Sequence, residues 1–319
     1  MALNGSEATF VPLRPDQIEL RGRVKLGVIA FYSPDTGLTS CDVRSGGAPF
    51  ANFWPLPSPM QISHRGASGS FTNTEAAYQA LKWWQDEPTR QKFEKCCAPG
   101  LKGGGDAFRL KRQCEKKPEL KDNLHTKADG LGRWNAMLLV LRGKWRQKVR
   151  AHPFHALVSM LLLASLLAHT LAVSMCLFPR QDFRELLCGS AGLLLVEHST
   201  KAGRDPYWSD DHAGGGQNRL GAALMLIRDE LLAETGEPSG WPAAVPRPTW
   251  AGGSDSDAAW QAIVDEVASA LVQMDADRTT QVRAPLVRAP IYAVRSARLW
   301  FLEALNASRS SSDHAFVHV

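Results

Sequence analysis

The residues best equipped for chemistry fall in three short stretches. The longest is 205–221, Asp-Pro-Tyr-Trp-Ser-Asp-Asp-His-Ala-Gly-Gly-Gly-Gln-Asn-Arg-Leu-Gly. It gathers Asp205, Tyr207, Trp208, Asp210, Asn218 and Arg219 with no apolar period, so it reads as an irregular loop. The second stretch places Glu75, Gln79 and Lys82 about one helical turn apart, which puts them on one face. The third is Pro49-Phe-Ala-Asn-Phe-Trp, where Asn52 sits between aromatics beside Phe53 and, once buried, needs partners for its amide. Carboxylates can stabilise a cationic centre or activate water. Aromatic side chains can wall a sugar or stack on a base. Amides can bind hydroxyls, and Arg, Lys and consecutive glycine N–H groups can hold a phosphate. Each residue also has a plain structural use. An acid in the first turn of a helix complements its dipole, Trp208 can be core, and Arg219 can be a solvated charge.

The elements that must carry these residues follow from pattern. Residues 74–84 read as a helix capped by Asn73 or Thr74. Residues 193–197 read as a buried strand and 220–232 as a core helix, so the 205–221 loop is clamped between buried elements, the setting in which loops carry function. Glu197 and His198 read as residues that order the strand end. Residues 25–32 form a short buried strand stopped by Ser33-Pro-Asp-Thr-Gly. Helices are expected at 133–148 and 182–190, then an amphipathic one bearing Trp260, Ile263, Val267, Leu271 and Met274, then another near 290–307. Residues 1–24 show no clear pattern and read as a loose lead-in.

At 319 residues the chain has room for one large domain or two ordinary ones. The net charge of +5 is unevenly spread: residues 102–150 hold 14 Lys and Arg against 5 Asp and Glu. That excess suits a phosphorylated ligand or nucleic acid, or a solvated face. The six cysteines form no CxxC pair and no Cys/His ligand spacing, so no metal is expected. No strand–GxGxxG–helix or P-loop context accompanies either glycine triplet, which argues against dinucleotide oxidoreductases and kinases, and no cofactor is expected. The start of the chain has no basic-then-apolar leader, from which an intracellular, cytoplasmic setting is expected.

Taken in order, Phe31-Tyr32, Phe50-Ala-Asn-Phe53, Thr74-Glu75 with Gln79 and Lys82, Leu195-Val-Glu-His198, Asp205-x-Tyr207-Trp208 and Gly216-Gln-Asn-Arg-Leu-Gly221 resemble the motifs of the NADAR superfamily, the YbiA-like N-glycosidases. The resemblance covers about 27–234. It implies a mainly α fold, compact and helical with a few short strands, over 25–236, followed by a Pro/Gly-rich linker and helical extension over 237–319. It also implies hydrolysis of a C–N bond at a ribose C1. The implied substrate is a small phosphorylated ribosyl compound, such as a phosphoribosylamino-pyrimidine of riboflavin synthesis, or ADP-ribose attached to guanine in nucleic acid. Two departures stand out: Ala76 occupies a position usually held by His, and Trp-Ser-Asp-Asp replaces the commoner Trp-Gly-Asp-Gly.

The resemblance implies that Glu75 is the carboxylate at C1 and that Asp205 activates water or binds a ribose hydroxyl. The ligand would be held by Asn52, Phe53, Gln79, Lys82, Tyr207, Trp208, Asp210, Asn218 and Arg219. Lys82 has a second possible role as a Schiff-base nucleophile. The competing class is a non-catalytic ADP-ribose or nucleotide-binding module, in which Glu75 would be dispensable.

One stretch stands apart. Residues 154–178 are apolar and long enough to span a bilayer, with basic residues before them. On that reading the protein is membrane-tethered, but Glu75 and Trp208 would then lie on opposite sides of the membrane. Family members run directly from the Lys144-Trp145 helix end into the 182–190 helix, and removing about 149–180 restores that spacing. The insert is therefore read as an unspliced intron translated in frame.

Overall fold

The computed structural model describes residues 12–20, 24–32, 39–56, 58–96, 106–117, 131–147, 183–249 and 257–283. The apolar stretch 154–178, the helix expected near 290–307 and most of the lead-in lie outside them.

The centre of the fold is strand β2 (Val24–Phe31), whose residues from Leu26 onward are shielded on both faces. That is why it reads as a continuous apolar run. It pairs antiparallel with β1 (Asp16–Leu20) and parallel with β5 (Leu194–Glu197), with Phe31 opposite Glu197. A second sheet is the hairpin of β3 (Met60–His64) and β4 (Ala67–Phe71). Its two-residue turn has positive φ at both Arg65 (50°) and Gly66 (78°), the geometry that lets a tight turn follow the twist of its strands.

Helices fill the rest. In chain order they are α1 (Ser40–Ser45), α2 (Thr74–Ala80), α3 (Glu87–Glu94), α4 (Ala107–Glu115), α5 (Gly132–Trp145), α6 (Phe183–Cys188), α7 (Arg219–Ala233) and α8 (Ala258–Arg283). Helix α2 ends in a 3-10 turn over Leu81–Trp83. Buried Leu220, Leu224, Ile227 and Leu231 of α7 and Met137, Val140 and Leu141 of α5 supply the helical half of the core.

The expectation of a mainly α fold is corrected. The described protein is about 48% helix and 15% strand, a mixed α/β fold with two small sheets. The strands that the pattern missed are short and alternate: Met60 and Ile62 are buried while Gln61 and Ser63 are exposed. In five residues such alternation barely differs from loop. The same holds for Asp16–Leu20, a strand inside the supposed lead-in, where Asp16 also pairs with Arg44 at 2.8 Å.

The chain divides into two compact units, 1–273 and 274–319. The first takes in Trp260, Val264, Val267 and Leu271 of α8, all buried. The described part of the second is the last turns of α8. Among the described residues no helix is long and apolar enough to cross a membrane.

Candidate active site

Glu75 enters the site on α2, and its placement is local. Asn73 caps the helix, its side chain accepting the Ala76 N–H at 2.8 Å. The Glu75 N–H donates to the Asn52 carbonyl at 3.0 Å, tying α2 to the Asn52 loop. That loop is held from below by Lys144, fully buried, whose Nζ donates to the Pro49 and Ala51 carbonyls at 2.6 and 3.0 Å. Burial pushes the Lys144 ammonium down to about 7.

Every residue of α2 is buried, Glu75 included. Gln79 Nε2 donates to Glu75 Oε1 at 2.6 Å, and Lys82 is buried one turn further on. Burial raises the Glu75 carboxyl to about 7; the Gln79 bond and the charges of Lys82 and Lys111 pull it down, and Asp205 pushes it up. A carboxyl poised there can hold or release its proton near neutral pH.

The 205–221 segment brings the second acid. Asp205 Oδ1 accepts the Trp208 N–H at 3.0 Å, closing a turn that presents Tyr207 and Trp208, both half-buried. Trp208 meets Tyr78 of α2 edge-on, ring centroids 5.7 Å apart. Glu75 and Trp208 therefore lie on adjoining walls rather than on separate surfaces. Burial raises the Asp205 carboxyl, while backbone N–H groups and Arg133 oppose the shift. Arg219 donates to the Tyr207 hydroxyl at 3.1 Å and to Gln217 Oε1 at 2.6 Å, and its guanidinium lies over the Tyr207 ring at 4.5 Å. Arg133 approaches the same ring at 5.4 Å. Phe53 stacks on Phe108 at 5.3 Å.

The loop accommodates Asp211 and Ser209 without strain on its hydrogen bonds. Asp211 takes φ 54°, so Asp adopts a backbone that glycine favours, and its carboxylate binds the N–H groups of Gly203, Arg204 and Asp205. Ser209 is buried and donates to the Asp205 carbonyl at 2.7 Å. Helix α8 braces the glycine run: Gln261 Nε2 donates to the carbonyls of Gly214 and Gly216 at 2.7 and 2.9 Å, and Trp260 Nε1 to that of Gln217 at 2.8 Å.

Two residues expected to touch ligand have their polar atoms engaged by the protein. Asp210, fully buried, takes the Ser199 and His212 N–H groups and pairs with His198 Nδ1 at 2.6 Å. Asn218, also fully buried, accepts the Glu197 N–H and donates to the Leu195 carbonyl, both at 3.0 Å. Both shape the site from behind.

Glu197 is the residue that sequence reasoning set aside. It ends β5 beside Tyr32, at the carboxyl ends of two parallel strands, where α/β sheets place ligand sites. Its backbone is fixed by Asn218 below and by the Asp210 N–H, which donates to its carbonyl at 3.0 Å. Its Oε2 is shut from solvent with no hydrogen-bond partner. Burial, then the charges of Asp205, Glu75 and Asp210, raise this carboxyl well above its usual range. The signal for it was a lone acid closing an apolar strand. Of the cations around the cluster, Lys111 and Arg133 carried no signal beyond the basic excess of 102–150, and Arg204 carried none.

Three coupled acids, Glu75, Glu197 and Asp205, thus lie beside Tyr207 and Trp208, with Lys82, Lys111, Arg133 and Arg204 among the cations that act on them. Two surface hollows of about 440 and 410 Å³ lie elsewhere, lined by Arg142, Glu230 and Arg247 and by Thr72, Gln91 and Glu94 respectively. Among the described residues no three metal-ligating side chains gather closely enough to hold an ion.

Comparison with known proteins gives a local match. Over 53 residues the chain is 43% identical to the N-glycosidase YbiA of Escherichia coli K12, and equally to proteins of that name from Shigella boydii and Shigella sonnei. The match takes in 17% of this chain, and it spans about a third (31%) of each relative. No family model and no solved structure matches. The chain therefore shows a distant YbiA-like relationship confined to that stretch.

Proposed function

We propose that the chain is an N-glycosidase that hydrolyses a ribosyl C–N bond, acting on a phosphoribosylamino-pyrimidine or an ADP-ribosyl-guanine. The observation that carries this reading is the coupling of Glu75 and Asp205, from separate segments, around one acid floor walled by Trp208. In the reaction the C1–N bond breaks with its electron pair passing to nitrogen, leaving cationic character on C1. Glu75, in its ionised form, stabilises that centre as sugar hydrolases do. Asp205 takes a proton from the water that adds to C1, and a protonated carboxyl of the cluster returns one to the departing nitrogen. Tyr207 and Trp208 wall the ribose or base, and Arg133 and Arg219 favour a phosphate at the edge. The 43% identity to proteins called N-glycosidase YbiA supports the reaction class.

The test is to incubate the full chain with each substrate class and follow release of ribose phosphate or ADP-ribose. Glu75→Gln is expected to lower kcat about 100-fold or more, with ligand affinity held within a few-fold. If Glu75→Gln turns over as fast as the parent chain, the role given to Glu75 falls; if the parent binds these ligands and releases neither product, a binding module takes the place of the enzyme.

A further inference from the structure

The three acids account for chemistry at C1, but the same wall holds two neutral groups that no step has used. Asn52 and Gln79 are buried, 7% and 4% exposed, and the amide oxygen of each has no hydrogen-bond partner. With Glu75 ionised, the partner of each amide sets its orientation. Asn52 Nδ2 lies 3.7 Å from Met137 Sδ, and a thioether is an acceptor only, so the N–H side of the amide must face it. Gln79 Nε2 donates to the Glu75 carboxylate. Both oxygens are therefore turned away from their one contact.

Both amides also belong to the Glu75 corner. The Asn52 carbonyl receives the Glu75 N–H, and Gln79 grips the Glu75 side chain. Met137, under Asn52, is one turn along α5 from Arg133, which approaches Tyr207. A buried carbonyl oxygen without a donor is costly to keep, so two in the Glu75 corner mark a place where a donor arrives with the ligand. A hydroxyl fits: it donates, it is neutral, and the ribose C2 hydroxyl sits on the carbon bonded to the one that Glu75 serves.

We infer that the amide oxygens of Asn52 and Gln79 receive the vicinal hydroxyls of ribose, so that the site selects ribosyl over 2′-deoxyribosyl ligands. This rests on the ribosyl reading above but not on turnover, and it can be tested by binding alone. Ribose 5-phosphate and 2-deoxyribose 5-phosphate are titrated into the full chain by calorimetry. The parent chain is expected to bind the first about 10-fold more tightly, the worth of one such hydrogen bond. Asn52→Leu and Gln79→Met keep side-chain size and remove the acceptor. Each is expected to weaken ribose 5-phosphate about 5–10-fold; the one facing the C2 hydroxyl leaves the deoxy sugar within about twofold, so that the preference collapses, and the one facing the C3 hydroxyl weakens both sugars alike. Thermal unfolding reports which variant is intact. Equal binding of both sugars by the parent, binding of neither, an intact variant that binds ribose 5-phosphate as tightly as the parent does, or an unchanged preference in both variants when both are intact overturns the inference. Preference without hydrolysis of any N-glycoside would instead sink the enzyme reading and leave this one standing.

Discussion

Glu75 titrates near 4.5 in water and near 7 in the folded chain. A carboxyl with a raised folded value binds its proton more tightly folded than unfolded. Its contribution to stability is present below 4.5 and is lost as pH rises through about 7. The shift corresponds to about 3 kcal/mol, set mainly by burial. Glu75→Gln is therefore expected to raise urea-unfolding stability by about 2–3 kcal/mol at pH 8 and to leave it unchanged at pH 4, while activity is lost. A Gln variant no more stable at pH 8 would show that the carboxyl is not strained by its setting. Glu75 and Asp205 were legible in the sequence because each stands in a local pattern, a capped helix or a polar loop. Glu197 was not, because its meaning comes from strand pairing: only when β5 lies beside β2 does it meet acids on α2 and in the 205–221 loop. The partnerless oxygens of Asn52 and Gln79 were invisible for the same reason.

At the level of elements, β5 and α7 are joined through Asn218 and Gly221. Asn218 sits in left-handed backbone, φ 47°, ahead of α7, yet its side chain serves the strand, bonding Glu197 and Leu195. At Gly221 a Cβ would come within 2.0 Å of the Leu195 carbonyl oxygen. Helix and strand approach this closely because nothing stands between them. Asn218→Ala is expected to cost about 2–4 kcal/mol in thermal or urea unfolding, since two buried backbone groups lose their partner at a residue that disfavours Ala. Gly221→Ala is expected to cost at least as much, because the clash is with backbone. A loss of under about 0.5 kcal/mol in either would mean that strand and helix are not locked. The Asn-Arg-Leu-Gly string was conspicuous in the sequence, but as a candidate ligand contact; its role in setting the strand end needed the fold. The β3–β4 hairpin went unread because its turn, Arg65-Gly66, lacks the usual Asn or Asp.

On the scale of the molecule, helices α5 and α6 meet where the chain between them begins and ends. The rings of Trp145 and Phe183 lie 5.6 Å apart, edge to face, with the Lys144 ammonium over both. Deleting 149–180 is thus expected to leave the unfolding midpoint and the turnover of the full chain unchanged, measured side by side. Loss of cooperative unfolding would make the segment part of the core, and a transcript that always retains it would end the intron reading. That segment stood out in the sequence because 154–178 is a long apolar run without a single Asp, Glu, Lys or Arg. Since α5 and α6 meet directly at Trp145 and Phe183, and the cost of joining two fixed ends grows only slowly with the length of chain between them, that contact tolerates connections of very different length. New sequence entering the gene at this junction, by splicing error or by insertion, could therefore leave the helix pair in place.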